Sequence, residues 1–120
     1  KSNMFEIKIS PDSKDIQEDI KLTLKNNHIE FSSYENVYIQ KTEESIPTIL
    51  NFIFNFKTGV LLIAAIKYIS PLIIEYIKSR KSIIDITFNE YKLRIESNTT
   101  LKQIKQFIED MEEKENQKNQ

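Results

Sequence analysis

Residues 46–78 read IPTILNFIFNFKTGVLLIAAIKYISPLIIEYIK and form the apolar stretch that decides the fold of this chain. The stretch contains the only glycine, Gly59, and two of the three prolines, Pro47 and Pro71. Its length and its scarcity of turn residues predict a helical segment over 46–81. A proline suits the first turn of a helix and breaks an interior turn, so a second helix beginning at Pro71 is an alternative to one long helix.

This segment is either the buried central helix of a small domain, a partner-binding helix or a membrane-associated segment. Residues 58–77 are about as long as a bilayer span requires. A lysine at the centre of a span, here Lys67, costs roughly 2.5–3.5 kcal/mol, and the apolar residues return roughly 3–6 kcal/mol. Pro71 and Glu75 add to the cost. We therefore favour a core helix or an oligomer interface, with membrane association through 58–77 as the alternative.

The flanking sequence predicts strands where apolar residues alternate and helices where they recur every three or four residues. The predicted elements are a strand in 4–10, a helix to about 27, a strand region in 28–40, a hairpin over 84–95 and a helix from 101. With the central segment, the order is β-α-β-α-β-β-α. This order predicts an α+β domain over 1–112, in which the helices pack on a single small sheet. Residues 113–120 are predicted to be a polar helix end or a disordered tail.

Composition excludes several classes of function. The chain has 17 basic and 18 acidic residues, so it lacks the positive field that holds nucleic acid. It has no cysteine and one histidine, His28, which cannot by itself supply a zinc site. Paired carboxylates such as Glu43 and Glu44 are typical of solvated surfaces. We therefore predict no catalytic residues, no metal and no cofactor, and a cytoplasmic protein.

Two groups of residues are candidate contact sites. The first is a set of large apolar side chains before Lys67, which we predict to form a homo-oligomer interface: Phe52, Ile53, Phe56, Val60 and Ile63. The second is a basic cluster at the end of the central segment, formed by Lys78, Arg80 and Lys81. Such a cluster complements the dipole of a helix C-terminus, and it is also suited to an acidic partner or anionic lipid.

The order of these features resembles a bacterial family, the effector-associated constant component modules. The matching features, over about residues 4–111, are a strand with an acidic helix, a second strand, an apolar helix with Gly59 near its start, and a hairpin with a last helix. The apolar helix ends in a tyrosine and basic run, Tyr76, Lys78, Arg80 and Lys81. Asn89-Glu90 stands where the family's hairpin usually has Asp-Gly, and Tyr76 stands where a tryptophan is common. The resemblance implies a non-enzymatic adaptor that couples a sensor to an effector in bacterial defence.

Overall fold

The strands of this protein form one antiparallel sheet, and its helices are packed on one side of that sheet. The computed structural model describes residues 4–10, 15–39, 48–80 and 83–118. The elements are β1 (Phe5–Ser10), α1 (Asp15–Asn26), β2 (Ser32–Ile39), β3 (Thr48–Asn55), α2 (Gly59–Arg80), β4 (Ile83–Phe88), β5 (Tyr91–Ile95) and α3 (Leu101–Lys118). The five strands lie in the order β2-β3-β1-β4-β5. The predicted α+β class with a single sheet is confirmed.

The first part of the predicted helical segment 46–81 is a strand. Thr48–Asn55 forms β3, which pairs with β2 on one side and β1 on the other, and the helix begins only at Gly59. Aromatic and β-branched residues favour a strand here, and Phe52 and Phe54 both enter the core on the same side. The predicted elements therefore occur in the predicted order, and β3 is an additional strand between β2 and α2.

The second part of that segment is one continuous helix, α2. Its first turn is capped by Thr58, whose Oγ1 accepts a hydrogen bond of 3.2 Å from the N–H of Leu61. Pro71 lies inside the helix without ending it, so the two-helix alternative is not adopted. Pro71 has no N–H to donate to the carbonyl of Lys67, and the helix continues because its buried side holds it against the sheet.

The core lies between the sheet and the helix layer, in which α2 contacts both α1 and α3. The completely buried side chains come from the inner face of the sheet and from every helix: Ile7, Ile9, Phe52, Phe54, Ile84, Ile86, Phe88, Ile20, Leu24, Leu62, Ile66, Ile69, Ile73, Ile104 and Met111. In α3, one apolar face is buried at Ile104, Phe107, Ile108 and Met111, whereas Leu101 is exposed at the helix start. The helix then continues to Lys118, so residues 113–118 form a polar helix end.

Helix α1 ends in a hydrogen-bonded cap that uses the only histidine. The N–H of His28 donates to the carbonyl of Lys25 at 3.1 Å, and the N–H of Ile29 donates to the carbonyl of Leu24 at 3.0 Å. This is a Schellman motif, in which His28 takes the left-handed position with a φ of 57°. Ile29 and Leu24 are both buried, which supplies the hydrophobic contact of the motif. His28 itself is exposed and serves the backbone turn.

We predict that His28→Gly raises the free energy of unfolding by about 0.5–1 kcal/mol, because glycine adopts the left-handed conformation without a Cβ clash. Urea denaturation measures the change. Lys25→Gly is the matched control in the last helical turn and should lower stability, since helical φ gives glycine no advantage there. If His28→Gly were less stable than the wild type, the left-handed backbone of His28 would not be a source of strain.

The chain's only glycine begins α2 where α3 and β4 come close to it. A Cβ placed on Gly59 would lie 2.6 Å from Cε2 of Phe88 and would also meet the carboxylate of Glu115. Phe88 is completely buried, so its ring has little room to move. The Glu115 side chain beside the N-terminus of α2 is favourably placed for the positive end of the helix dipole. The contact among α2, β4 and α3 therefore requires a residue without a side chain.

We predict that Gly59→Ala lowers the free energy of unfolding by about 1–3 kcal/mol through overpacking against Phe88. A net loss is expected because the overpacking should outweigh the gain of about 1 kcal/mol that replacing glycine with alanine usually brings to a helix. In a Phe88→Leu background the same change should cost less, because the atoms it meets are removed, and the double-mutant cycle measures this coupling. Equal costs in both backgrounds would show that Phe88 is not the obstacle.

Candidate interaction surface

Four of the five predicted interface residues are buried, so the interface prediction is wrong for them. Phe52, Phe56 and Ile63 belong to the hydrophobic core, and Ile53 is buried on the opposite side of the sheet. The prediction assumed one helix through these residues, whereas Phe52 and Ile53 belong to β3, where neighbours point to opposite faces. Only Val60, with 59% of its surface exposed, is available for a contact.

The predicted basic cluster is described only in part. Lys78 is exposed in the last turns of α2. Arg80 is the last residue of that helix, but its side chain is outside the described part of the structure, as is all of Lys81. The role of the cluster therefore stays a prediction.

Helix α2 instead exposes a row of apolar side chains, which we call the α2 ridge: Val60, Ala64, Tyr68 and Leu72. These residues are spaced four apart, so they form one continuous ridge on the helix surface. Val60 is 59% and Tyr68 is 51% exposed, and Ala64 and Leu72 are half-buried. Only Val60 was named from the sequence. The fourfold spacing was visible there, but the interface prediction grouped Val60 with residues of β3 and not with the exposed side of α2.

A depression between α2 and α3 borders the α2 ridge. It has a volume of about 450 Å³ and is lined by Val60, Ile63, Ala64, Lys67, Glu112, Glu115 and Asn116. Across it, Nζ of Lys67 lies 2.6 Å from Oε2 of Glu112, in a salt bridge whose side chains are about half exposed. The ammonium group of Lys67 beside the ridge is therefore paired with a carboxylate. Beside Ala64, the depression is lined by the apolar side chains of Val60 and Ile63.

The opposite face of the sheet is mixed: Ile53 and its cross-strand neighbour Tyr34 lie on it in β3 and β2, and β1, β4 and β5 add charged side chains. There Asp85 accepts a hydrogen bond of 2.9 Å from Nε of Arg94, and Nζ of Lys8 lies 4.0 Å from it. The bond to Asp85 raises the pKa of Arg94, which keeps the guanidinium charged. Pairs this exposed contribute little to stability. This face carries both signs of charge and is a solvated surface.

A half-buried tyrosine ring joins β5 to α3. The Tyr91 ring stacks on Phe107 with centroids 4.9 Å apart. Its hydroxyl donates to Asp110 at 2.7 Å, and the side-chain amide of Gln106 donates to the same carboxylate at 3.0 Å. The hydrogen bond from Tyr91 is the main cause that lowers the pKa of Asp110, and the bond from Gln106 adds to it. The hydrogen bond between Tyr91 and Asp110 also raises the pKa of Tyr91. These shifts come from a structural contact.

Within the described ranges there is no group of three or more His, Cys, Asp or Glu residues that could hold a metal ion. Among the helices that the structure describes, one stretch, Gly59–Ser79, is long and apolar enough to cross a membrane, and 44% of it is buried inside the protein. The core helix of a soluble protein meets the same criterion. No protein-family model, curated protein or solved structure matched this chain.

We predict that Tyr91→Phe destabilises the protein most at pH values between the ordinary pKa of Asp110, 3.8, and that of Tyr91, 10.0. The stabilisation from ionised Asp110 is present above its unfolded pKa and is lost as pH falls through the lowered folded pKa. The part from protonated Tyr91 is present below its unfolded pKa and is lost as pH rises through the raised folded pKa. Thermal unfolding of wild type and variant across pH measures the difference.

The matched control is Tyr34→Phe, which removes a hydroxyl from an exposed tyrosine on β2. Its effect should be small and independent of pH. A Tyr91→Phe difference that is the same at acidic and neutral pH would show that the bond to Asp110 does not stabilise the fold.

Proposed function

We propose that this domain is a non-catalytic protein-interaction module that acts as an adaptor between a sensor and an effector in a bacterial defence or signalling system. The α2 ridge is its contact surface, and the protein works in the cytoplasm. The resemblance to effector-associated modules supports the biological setting, and the exposed ridge supports the biochemical role.

The observation that carries this proposal is the exposure of the α2 ridge on a helix whose opposite side already fills the core. Ile66, Ile69 and Ile73 are completely buried, so α2 meets the needs of the fold without Val60 or Tyr68. Single exposed apolar residues are ordinary on protein surfaces. A contiguous row of them on a rigid helix is typical of an interface.

The second candidate is a membrane-associated protein that acts through residues 58–77. The length and apolar composition of Gly59–Ser79 favour it. A true span would have to take α2 out of the core, where it contacts the sheet and both other helices. Adsorption on a bilayer keeps the fold, but it places Lys67 and Glu75, which are both exposed, against the lipid.

We predict that the purified domain binds the product of a neighbouring gene that encodes a protease or a sensor NTPase. Isothermal titration calorimetry measures the affinity. Val60→Asp should weaken binding by about tenfold or more, because it places a charge in the ridge that the partner would have to desolvate. Circular dichroism should show an unchanged fold, since Val60 is exposed.

The control is Leu22→Asp on α1, because Leu22 and Val60 are both 59% exposed. It changes an equally accessible apolar residue away from the ridge and should leave binding intact. Equal losses in the two variants would contradict the role of α2. Binding to anionic vesicles, with no binding to any neighbouring gene product, would favour the membrane alternative.

A further inference from the structure

We propose that the α2 ridge binds a second copy of this chain, with the two α2 helices antiparallel across a two-fold axis between Ala64 and Tyr68. This inference rests on the proposed function and names one partner for its surface. A two-fold contact uses the same patch on both molecules, so a residue that touches another is touched by it in return. The patch must therefore be complementary to itself.

The α2 ridge has this property in its side-chain sizes. In an antiparallel pair centred between Ala64 and Tyr68, Ala64 of one copy faces Tyr68 of the other, and Val60 faces Leu72. Each of the largest groups thus meets a smaller one, and the small Ala64 leaves room where the ring must enter. For these pairs to meet along several turns, the two helices must cross at about 20°, as in helix bundles.

The depression beside Ala64 provides a place for the incoming ring. It lies between α2 and α3 with a volume of about 450 Å³, and Val60 and Ile63 give it apolar walls. Its far rim holds Glu112 and Asn116, whose side-chain oxygens are acceptors for a phenol hydroxyl. Tyrosine, which combines an apolar ring with one donor, suits such a site and is enriched at interfaces.

The charges around the ridge are also self-complementary. Lys67 is already paired with Glu112 in its own copy at 2.6 Å, so it brings no unpaired charge to the contact. At the ends, the same antiparallel register places Glu75 of one copy towards the N-terminus of α2 in the other and towards Lys57, which lies 3.7 Å from Glu30 in its own copy. The two-fold axis repeats this arrangement. A carboxylate near a helix N-terminus is favourable.

Neighbouring registers lack this fit. A shift of one turn in one direction opposes Tyr68 to Tyr68, and a shift in the other direction opposes Ala64 to Ala64 and leaves a gap. A bilayer would also place Glu75 in an apolar medium, whereas a second copy offers it the N-terminus of α2. A second copy therefore fits this surface better than lipid.

The test exchanges the large and small residues. Ala64→Tyr should weaken dimerisation, because the introduced ring then faces Tyr68 of the other copy, and Tyr68→Ala should weaken it by leaving a gap. The double variant Ala64→Tyr/Tyr68→Ala restores a ring opposite an alanine. Sedimentation equilibrium over a range of protein concentrations measures the dissociation constant of each.

We expect each single variant to raise the dissociation constant about tenfold or more. The double variant should recover part of that loss, because its ring again meets an alanine but no longer enters the depression beside residue 64. A structural role of either residue in the monomer would not produce this rescue. Val60→Asp should give a folded monomer, and it keeps the test valid if Ala64→Tyr does not fold. Leu22→Ala, at an equally exposed position on α1, should not change the dissociation constant.

A wild-type protein that stays monomeric at high micromolar concentration would overturn the inference, as would a double variant no better than the single variants. Dimers that persist in Val60→Asp would also overturn it, because they would use another surface. If the monomeric protein still binds a neighbouring gene product through the ridge, only this inference fails. If that binding is also absent, the proposed function fails with it.

Discussion

The fold depends on burial of one side of α2 against the sheet. Ile66, Ile69 and Ile73 are completely buried, and each such side chain contributes roughly 1.5–3 kcal/mol. This burial explains why the helix continues through Pro71 with a missing hydrogen bond. It also determines the positions of the other helices, because α1 and α3 contact the two flanks of α2 and complete the cover of the inner sheet face.

Because the helices occupy one face of the sheet, β1 and β4 can carry charged residues on the other face. The alternation in β1 and β4 follows from this arrangement: Ile9 and Ile84 lie in the core, while Lys8 and Asp85 lie outside and approach each other. A long, mostly apolar helix and a mixed-charge sheet face thus coexist in one small domain. On the helix layer, the α2 ridge is an exposed row of apolar residues.

The strands and the amphipathic helices could be predicted from the sequence because their periods are unambiguous. Residues 48–55 could not, because a short, continuous apolar run fits both a buried strand and a buried helix. That error carried over to the contact site, since Phe52 and Phe56 were grouped with Val60 as one helical face. The α2 ridge was missed for the same reason, because Val60 was grouped with residues of β3 and not with Ala64, Tyr68 and Leu72.

The rigidity of α2 influences what its exposed side can do. A helix held from behind by the core presents Val60 and Tyr68 on a fixed backbone, so a partner does not bear the cost of ordering that backbone. The ridge is nevertheless narrow, and a narrow contact between two rigid surfaces gives a weak complex. Weak, preorganised contacts become strong when several copies or domains are held together, because the second contact is then intramolecular. A domain built in this way is suited to assembly that depends on local concentration, which is what an adaptor between a sensor and an effector requires.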